Sequence, residues 1–251
     1  MQFDRTIHRR FSRRQLLQYT GLAGMGLALG GCSPSGKFTS IFSPLHSQTD
    51  NVRNAFEPLN QRIEELLFKS QTPAPEYPIS AIEPNALLVN TYDATPQIDP
   101  ATYKLIVDGE VSHPLQLSMP ELQAMPFIAM VIRHICVEGW SAIVQWGGVR
   151  LYDLARLVQP KPQARYVYFE SGDKYYESWD IASALHPQTL LAYQKNGQAL
   201  SVENGAPLRL ASPIKLGYKQ SKWVTRITFT NELPSRKGYW VDEGYEWFAG
   251  L

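Results

Sequence analysis

The spacing of apolar and polar residues changes twice along this chain. Residues 16–31 are almost entirely apolar or small, but they fall short of the ~20 apolar residues that a membrane-spanning helix needs. Residues 52–69 carry apolar side chains three and four positions apart, which predicts a helix whose apolar stripe packs on the rest of the protein. From Ile79 onward, short apolar runs alternate with turn residues, and this pattern predicts many short strands.

Runs of β-branched, aromatic and other apolar residues are predicted as strands at 103–107, 128–135, 164–169, 190–193, 199–202, 208–211 and 223–230. Asp108-Gly109, Asn196-Gly197 and Asn204-Gly205 are strong signals for tight turns. After the first of these turns, Glu110 is expected to begin a return strand.

Short helices are predicted between these strands. Ser118 and Glu121 form a capping box before a helix that reaches about Met125. A second helix is expected at 152–158, and a third is expected to begin at Ser178 and to end at 185. The proline-rich residues 72–78 are expected to be extended. Short strands, hairpins and short helices together predict an α+β domain with a mixed β-sheet over residues 79–251.

Composition and charge narrow the classes of protein to consider. Apolar residues make up 44% of the chain and charged residues 19%, as in a folded globular protein. The formal net charge is +1, and no basic run follows the first residues, so a nucleic-acid partner is not expected.

The first 50 residues have the features of an export address. Ser12-Arg13-Arg14-Gln15-Leu16-Leu17 has the form of a twin-arginine signal, which exports proteins that are already folded and usually already hold a cofactor. Leu29-Gly30-Gly31-Cys32 resembles a bacterial lipobox, so Cys32 is expected to carry a lipid in the periplasm or cell envelope. The expected organisation is a signal at 1–32, a flexible tether at 33–50, a helix and linker at 51–78, and one domain at 79–251.

Cys136 is the only cysteine of the predicted domain, because Cys32 belongs to the signal. It has no partner for an internal disulfide, so it is either a small buried residue or a working thiolate. Arg133 and His134 precede it, and cationic neighbours would lower the pKa of its thiol. Those neighbours favour a thiolate that attacks a substrate or binds a metal.

Four sequence blocks in a fixed order resemble the molybdopterin domain of the sulfite oxidase family. They are Arg-x-x-Cys-Val-Glu-x-Trp, Phe-Glu-Ser, Asn-Gly-Ala-Pro-Leu-Arg-Leu and Lys-x-Gly-Tyr-Lys-x-x-Lys, and the resemblance covers about residues 80–235. It is similar above all to the bacterial branch that includes the catalytic subunit of periplasmic methionine-sulfoxide reductase. Ile135 and Gly139 differ from the pattern of those reductases.

The resemblance implies a molybdenum–molybdopterin cofactor and assigns residues to it. Cys136 would be the metal ligand, since a soft thiolate suits a metal that is also held by dithiolene sulfurs. The residues expected to contact the pterin or its phosphate are Asn90, Tyr92, Asp93, Ser171, Asn204, Arg209, Gln220, Ser221 and Lys222. Arg209 would hold the phosphate with two parallel hydrogen bonds. His134, Trp140 and Tyr218 are expected around the mouth of the metal site.

The expected reaction is a two-electron oxygen-atom transfer that reduces a sulfoxide such as methionine sulfoxide. Its electrons would come from a separate electron-transfer protein, such as a membrane haem protein. The alternative enzyme is a sulfite oxidase, which needs several basic side chains for a dianion, and only Arg133, Lys219 and Lys222 are candidates. Two further alternatives are a cofactor-free binding lipoprotein and a metal-free thiol enzyme that uses Cys136 with His134.

Overall fold

The computed structural model describes Leu59, Ile63, residues 72–91 and residues 94–251. The predicted signal, the tether, Cys32 and most of the predicted helix at 52–69 lie outside these residues. Leu59 and Ile63 are helical, and their side chains are 53% and 44% exposed, so the apolar stripe is not buried at these two positions. Within the part of the chain that the structure describes, no helix is both long and apolar enough to cross a membrane.

The described domain consists of ten strands and four short helices. The strands are β1 (Lys104–Gly109), β2 (Leu115–Ser118), β3 (Phe127–Ile135), β4 (Ser141–Arg150), β5 (Tyr166–Ser171), β6 (Tyr176–Asp180), β7 (Leu190–Lys195), β8 (Gln198–Ala199), β9 (Arg209–Ala211) and β10 (Val224–Thr230). The helices are α1 (Met119–Gln123), α2 (Leu151–Val158), α3 (Ile181–Ala184) and α4 (Tyr239–Asp242). Two 3₁₀ turns, Ile79–Ala81 and Gly217–Lys219, complete the set.

The strands form two five-stranded sheets. The first sheet has the order β2-β1-β10-β5-β6, and its β1–β10 pair is parallel while its other pairs are antiparallel. The second sheet is antiparallel, with the order β3-β4-β7-β8 and with β9 also paired to β7. This architecture of mixed sheets with short helices agrees with the α+β fold predicted from the sequence.

Helix α2 contributes its buried face to the main core, together with strands of both sheets. Its buried residues repeat every three or four positions at Leu151, Leu154, Ala155 and Val158. They share one cluster with side chains of β1, β5 and β10 in the first sheet and of β4, β7 and β9 in the second. Burying a leucine completely contributes about 1.5–3 kcal/mol, so this helix fixes the two sheets relative to each other.

Several local predictions are confirmed. Ser118 and Glu121 form the expected capping box at the start of α1. Asn196 and Gly197 form a two-residue turn between β7 and β8, and both have positive φ, at 51° and 75°. This is the conformation that joins antiparallel strands without splaying them.

Two other predictions are wrong, and one strand was missed. The return strand begins at Leu115 rather than at Glu110. No strand was predicted where β4 lies. Ser178 lies within strand β6, and Asp180 caps the following helix by accepting a hydrogen bond from Ser183 N at 2.7 Å.

The proline-rich residues 72–78 are extended, as predicted, and they run along the outer edge of β3. Tyr77 N donates to Val131 O at 2.9 Å, and Glu76 forms an antiparallel bridge with Ile132. The Gln188 side chain fixes the same segment, because it accepts from Ala74 N at 2.7 Å and donates to Ala74 O at 3.0 Å.

Candidate active site

A cleft of about 190 Å³ opens where β3 turns into β4. Its walls come from residues 87–91, 136–140, 203–209 and 217–223, and helix α4 lies at its rim. Most of the site residues predicted from the sequence line it, namely Asn90, His134, Cys136, Trp140, Asn204, Arg209, Tyr218, Gln220, Ser221 and Lys222. Tyr92 and Asp93 lie outside the described residues.

Cys136 lies on the turn that joins β3 to β4. Its N–H donates to Trp140 O at 2.9 Å, and its carbonyl accepts from Gly139 N at 3.2 Å. Gly139 has a φ of 90°, a left-handed conformation that glycine adopts without steric cost. Because β3 and β4 pair along their whole length up to Ile135 and Ser141, a rigid hairpin presents the thiol to the cleft.

The carboxylate of Glu138 connects the parts of this turn. Glu138 Oε2 accepts hydrogen bonds from Cys136 Sγ at 3.5 Å, Trp140 Nε1 at 2.8 Å and Asn90 Nδ2 at 2.9 Å. Burial raises the pKa of the Cys136 thiol, and the negative charge of Glu138 raises it further. These surroundings favour the protonated thiol in the protein alone, and a bound metal ion would favour the thiolate.

The expected lowering of the Cys136 pKa by its neighbours is wrong. Arg133 and His134 alternate along β3 and point to opposite faces of the sheet. The Arg133 guanidinium lies over the Tyr77 ring, 5.4 Å from its centroid. Burial lowers the pKa of His134 to about 3, with a smaller contribution from the charge of Arg209, so this imidazole is neutral.

His134 is held between aromatic rings at the floor of the cleft. Its ring stacks on the Trp140 ring, with the two ring centroids 5.8 Å apart. The centroid of the His134 ring is 6.3 Å from the centroid of the Trp146 ring. A Cβ atom at Gly217 would lie 2.9 Å from His134 Nε2, so the absence of a side chain there lets the 217–223 segment approach. His134 Nδ1 is buried and has no hydrogen-bond partner.

Arg209 on β9 is a buried cation that faces the same cleft. Its side chain is 5% exposed, and it pairs with no carboxylate among the described residues. It donates to the carbonyls of Leu210 and Asn204, both at 3.0 Å, and its guanidinium carbon lies 4.4 Å from the Trp146 ring centroid. Burial lowers the pKa of Arg209 to about 9. A buried charge of this kind needs a compensating anion, and none of the described residues supplies one.

Two lysines surround Arg209 and add to the positive potential. Lys222 Nζ donates to Asn90 O and to Glu203 O, and burial followed by repulsion from Arg209 lowers its pKa to about 8. Lys195 Nζ lies 3.4 Å from Asn204 Oδ1, and the same two causes lower its pKa. Arg209 and Lys222 line the cleft, and the charge of Arg209 acts on both lysines, so this wall of the cleft has a positive potential that favours an anion.

The other polar residues predicted to contact the cofactor differ in whether their side chains already have hydrogen-bond partners within the fold. Ser221 Oγ lines the cleft and is buried without a partner. Ser171 Oγ is also buried without a partner, but Ser171 does not line the cleft. The Gln220 side chain is fully used within the fold, since it accepts from Ser212 N and donates to the carbonyls of Ser212 and Lys215. The Gln220 backbone N–H is also used within the fold, since it donates to Gly217 O at 3.0 Å.

Tyr218 lines the cleft from the 3₁₀ turn at Gly217–Lys219. Its hydroxyl donates to Glu246 O at 2.5 Å, and its own carbonyl accepts from Tyr175 OH at 2.7 Å. Its ring meets that of Tyr245 edge to face, with the centroids 5.6 Å apart. The tyrosine proton is therefore engaged with the C-terminal segment, and the ring faces the cleft.

The free polar atoms of the cleft test whether a molybdopterin would fit. His134 Nδ1 and Ser221 Oγ lack partners, and Arg209 lacks a counter-charge among the described residues. A polar ring system that bears a phosphate would satisfy all three, so the residues fit the group. The described residues contain no cluster of three His, Cys, Asp or Glu that could hold a metal ion.

Residues 92–240 match the oxidoreductase molybdopterin-binding domain family, and this match covers more than half of the chain. The chain belongs to that family. Membership confirms the resemblance to sulfite oxidase-like enzymes and the prediction of a molybdenum-dependent oxidoreductase. The free thiol and the unpaired cation described above lie within the matched residues.

Curated relatives within this family come from several bacteria. A candidate subunit of a protein-methionine-sulfoxide reductase from Azospira oryzae is 42% identical over 199 residues, which cover 78% of this chain and 75% of the relative. Catalytic subunits of protein-methionine-sulfoxide reductase from Campylobacter jejuni and Ralstonia nicotianae are 36% and 34% identical, over 53% and 58% of this chain. The chain spans only about half the length of these two relatives.

Among solved structures, the sulfane dehydrogenase SoxCD from Paracoccus pantotrophus has a similar fold. The TM-score is 0.57 at 20% sequence identity, over 81% of this chain and 58% of that chain. At this identity the likeness concerns the fold alone, and it confirms the predicted sulfite oxidase-type α+β domain.

Sequence reasoning missed several residues that the fold brings to the cleft. Asp173 and Tyr175, on the turn between β5 and β6, line it, as do Trp240 and Tyr245 near the C-terminus. Glu138 was part of the recognised motif but had no predicted role. Its position two residues after Cys136, at the tip of a hairpin, was the available signal.

Proposed function

We propose that this protein is a molybdopterin-dependent reductase of sulfoxides, with methionine sulfoxide in proteins as the leading substrate. The observation that carries the proposal is that one cleft contains both a free thiol, Cys136, and a buried arginine, Arg209, that lacks a carboxylate partner among the described residues. The names of the relatives from three bacteria support the substrate class.

In this proposal, residues of all four cleft walls would hold the cofactor. Cys136 would bind the metal, and Arg209 would hold the phosphate together with Lys222. Asn90, Asn204, Ser221 and the backbone carbonyl of Gln220 would hydrogen-bond to the pterin, with Ser171, Tyr92 and Asp93 as further proposed contacts. When bound, the cofactor would supply the two-electron oxygen-atom transfer.

The residues of the chain itself would bind and orient the sulfoxide. Reduction breaks the sulfur–oxygen bond, takes up two electrons and two protons, and releases a thioether and water. The aromatic rings of Trp140 and Tyr218 would pack on the substrate carbons and restrict water at the reacting group. A sulfoxide is neutral, which suits a mouth whose charged group near Cys136 is the Glu138 carboxylate.

Sulfite oxidation is less well supported by the positions of the basic residues. Lys219 is completely buried and pairs with Glu177, so it does not reach the cleft. Arg133 lies against Tyr77 outside the cleft. Of the three cations that the sequence suggested for a dianion, only Lys222 lines the cleft, and it belongs to the proposed phosphate site.

A metal-free thiol enzyme is also poorly supported. The thiol enzyme considered from the sequence would use His134 as the base that activates Cys136. Among the described residues no hydrogen bond joins His134 to Cys136, and the pKa of the thiol is raised rather than lowered.

Two finer points complete the proposal. The electrons would come from a separate electron-transfer protein, such as a membrane haem protein, because the relatives are named as subunits of larger reductases. Export by the twin-arginine route and a lipid on Cys32 are proposed from residues 12–32 alone. This arrangement would place the enzyme in the periplasm or cell envelope.

The first test is the molybdenum content of the purified protein, measured by mass spectrometry together with Cys136→Ser and Cys32→Ser. Close to one molybdenum atom per chain is expected in the wild type and in Cys32→Ser, with a large loss in Cys136→Ser. The two variants each remove one thiol, so only the position of the thiol differs between them. Sulfoxide and sulfite turnover are then compared with artificial electron donors and acceptors.

A Cys136→Ser protein with full molybdenum content and full turnover would contradict the proposed ligand. A wild-type protein without molybdenum, from a host that makes the pterin, would instead favour the binding lipoprotein. Turnover of sulfite but not of sulfoxides would show that the enzyme is a sulfite oxidase instead.

A further inference from the structure

The rim of the cleft beside Cys136 is built from aromatic side chains near the C-terminus. Trp240 and Tyr245 both line the cleft, and their ring centroids lie 5.2 Å apart. Tyr245 in turn meets Tyr218 edge to face. The three rings form one continuous row, which we name the aromatic rim.

The aromatic rim is exposed although it is apolar. Trp240 is 39% exposed and Tyr245 is 41% exposed. Three aliphatic side chains that line the same cleft are also exposed, namely Leu88, Val89 and Val137. Apolar side chains that remain exposed around one opening, instead of being scattered over the surface, mark a place where an apolar ligand binds.

Several contacts hold the aromatic rim in place. Glu246 O accepts from Tyr218 OH at 2.5 Å, and Trp247 Nε1 donates to Ser178 Oγ at 2.9 Å. The buried ammonium of Lys215 donates to Phe248 O at 2.6 Å. Trp240 and Tyr245 are therefore presented by a segment that is fixed to the fold, which is what a selective contact requires.

We infer that Trp240 and Tyr245 determine substrate specificity, by contacting the apolar carbon chain of peptide-bound methionine sulfoxide and the apolar residue next to it. This inference rests on the proposed function. Sulfur and its neighbouring carbons pack favourably against aromatic rings, and a neutral sulfoxide needs no counter-charge at this rim. A small sulfoxide such as dimethyl sulfoxide has no flanking chain, so it gains less from the same rings.

The test compares Trp240→Ala, Trp240→Phe and Tyr245→Ala with the wild type. The control is Tyr152→Ala, because Tyr152 is 46% exposed on α2 and does not line the cleft. The substrates are dimethyl sulfoxide and a short peptide with one methionine sulfoxide between leucines, and a reduced dye supplies the electrons. The measured quantity is the ratio of kcat/KM for the peptide to kcat/KM for dimethyl sulfoxide.

Trp240→Ala is expected to lower this ratio about tenfold, mainly through KM, as for the loss of one large apolar contact. Trp240→Phe should restore much of the loss, and Tyr152→Ala should leave the ratio at the wild-type value. Molybdenum content and thermal unfolding show whether each variant is folded and loaded. A second measurement, peptide binding to molybdenum-free protein by calorimetry, is expected to weaken in Trp240→Ala by a similar factor.

A ratio that stays within twofold of the Tyr152→Ala value would overturn the inference, as would peptide binding that does not change. Slower electron delivery from a partner protein, with an unchanged ratio, would assign the aromatic rim to that partner instead. If the loaded wild type reduces no sulfoxide, the proposed function fails, and the binding measurement alone then decides the role of Trp240.

Discussion

Replacing Arg209 with methionine should affect the empty protein and the loaded protein in opposite directions. Burial lowers the pKa of Arg209 from 12.5 to about 9. At about 1.4 kcal/mol for each pKa unit, the charged form costs the folded state on the order of 5 kcal/mol. For a base, this cost is complete below pH 9 and fades only as the pH rises through the folded pKa, so it is constant near neutral pH.

The guanidinium also makes favourable contacts that the variant would lose. Its two hydrogen bonds to carbonyls contribute about 1 kcal/mol each, and its position over Trp146 contributes about 1–2 kcal/mol. These losses offset most of the relief, and methionine fills much of the same volume. We expect the cofactor-free variant to be as stable as the wild type or about 1–2 kcal/mol more stable.

The loaded protein should respond differently, because the phosphate would lose its main counter-charge. Molybdenum and phosphorus content, measured after expression in a host that makes the pterin, should fall at least tenfold, with Arg209→Lys in between. Urea unfolding of protein from a pterin-deficient host measures the empty state. Arg226→Met is the control, since Arg226 is exposed and pairs with Asp108. A cofactor-free Arg209→Met that loses more than about 2 kcal/mol, or that retains its molybdenum, would refute this reasoning.

Two further predictions concern buried groups beneath the cleft. Lys219→Met leaves the Glu177 carboxylate buried without its cation, and should cost about 3–5 kcal/mol at pH 8. Burial already raises the pKa of Glu177 to about 7, so stability should return on acidification below that pKa, and equal urea midpoints at pH 5 and pH 8 would contradict this. Gln220→Leu leaves backbone groups of Ser212 and Lys215 unpaired and should lower the stability of cofactor-free protein by about 2–4 kcal/mol. Unchanged thermal unfolding with lost molybdenum would instead assign the Gln220 side chain to the cofactor.

Strands could be predicted where local alternation and burial agree. Residues 128–135 read as a strand because β-branched residues dominate, and β3 occupies Phe127–Ile135. Strand β4 escaped prediction because Gly147 and Gly148 interrupt it, yet a Cβ at Gly148 would lie 2.0 Å from Leu191 O. Glycine there permits close approach of two strands, which a local pattern does not reveal.

The largest errors in the predicted secondary structure occurred where polar residues are buried. Strand β6 contains Glu177, Ser178 and Asp180 and is buried along its whole length. Lys219 and Lys215, which pair with Glu177 and Asp180, lie more than 30 residues further along the chain. Only the fold reveals such partners. Without them, Ser178 was interpreted as the cap of a helix rather than as part of a buried strand.

The residues of the site could be predicted from the sequence, but their protonation and their hydrogen-bond partners could not. Four ordered sequence blocks identified Cys136, Arg209 and Lys222, and the fold brings all three to one cleft. The neutral state of His134 depends on burial, and the engaged side chain of Gln220 depends on a loop that folds back on it. Neither burial nor that loop can be deduced from spacing.

The extended segment at residues 72–78 also covers an exposed edge of the second sheet. Strand β3 is nine residues long, and a free edge of that length is a template for pairing with another molecule. Glu76 and Tyr77 occupy part of this edge, and Pro75 and Pro78 on either side have no N–H to offer a further strand. The segment at residues 72–78 thus caps the sheet in a form that a neighbouring chain cannot easily extend, which protects the domain from edge-to-edge aggregation.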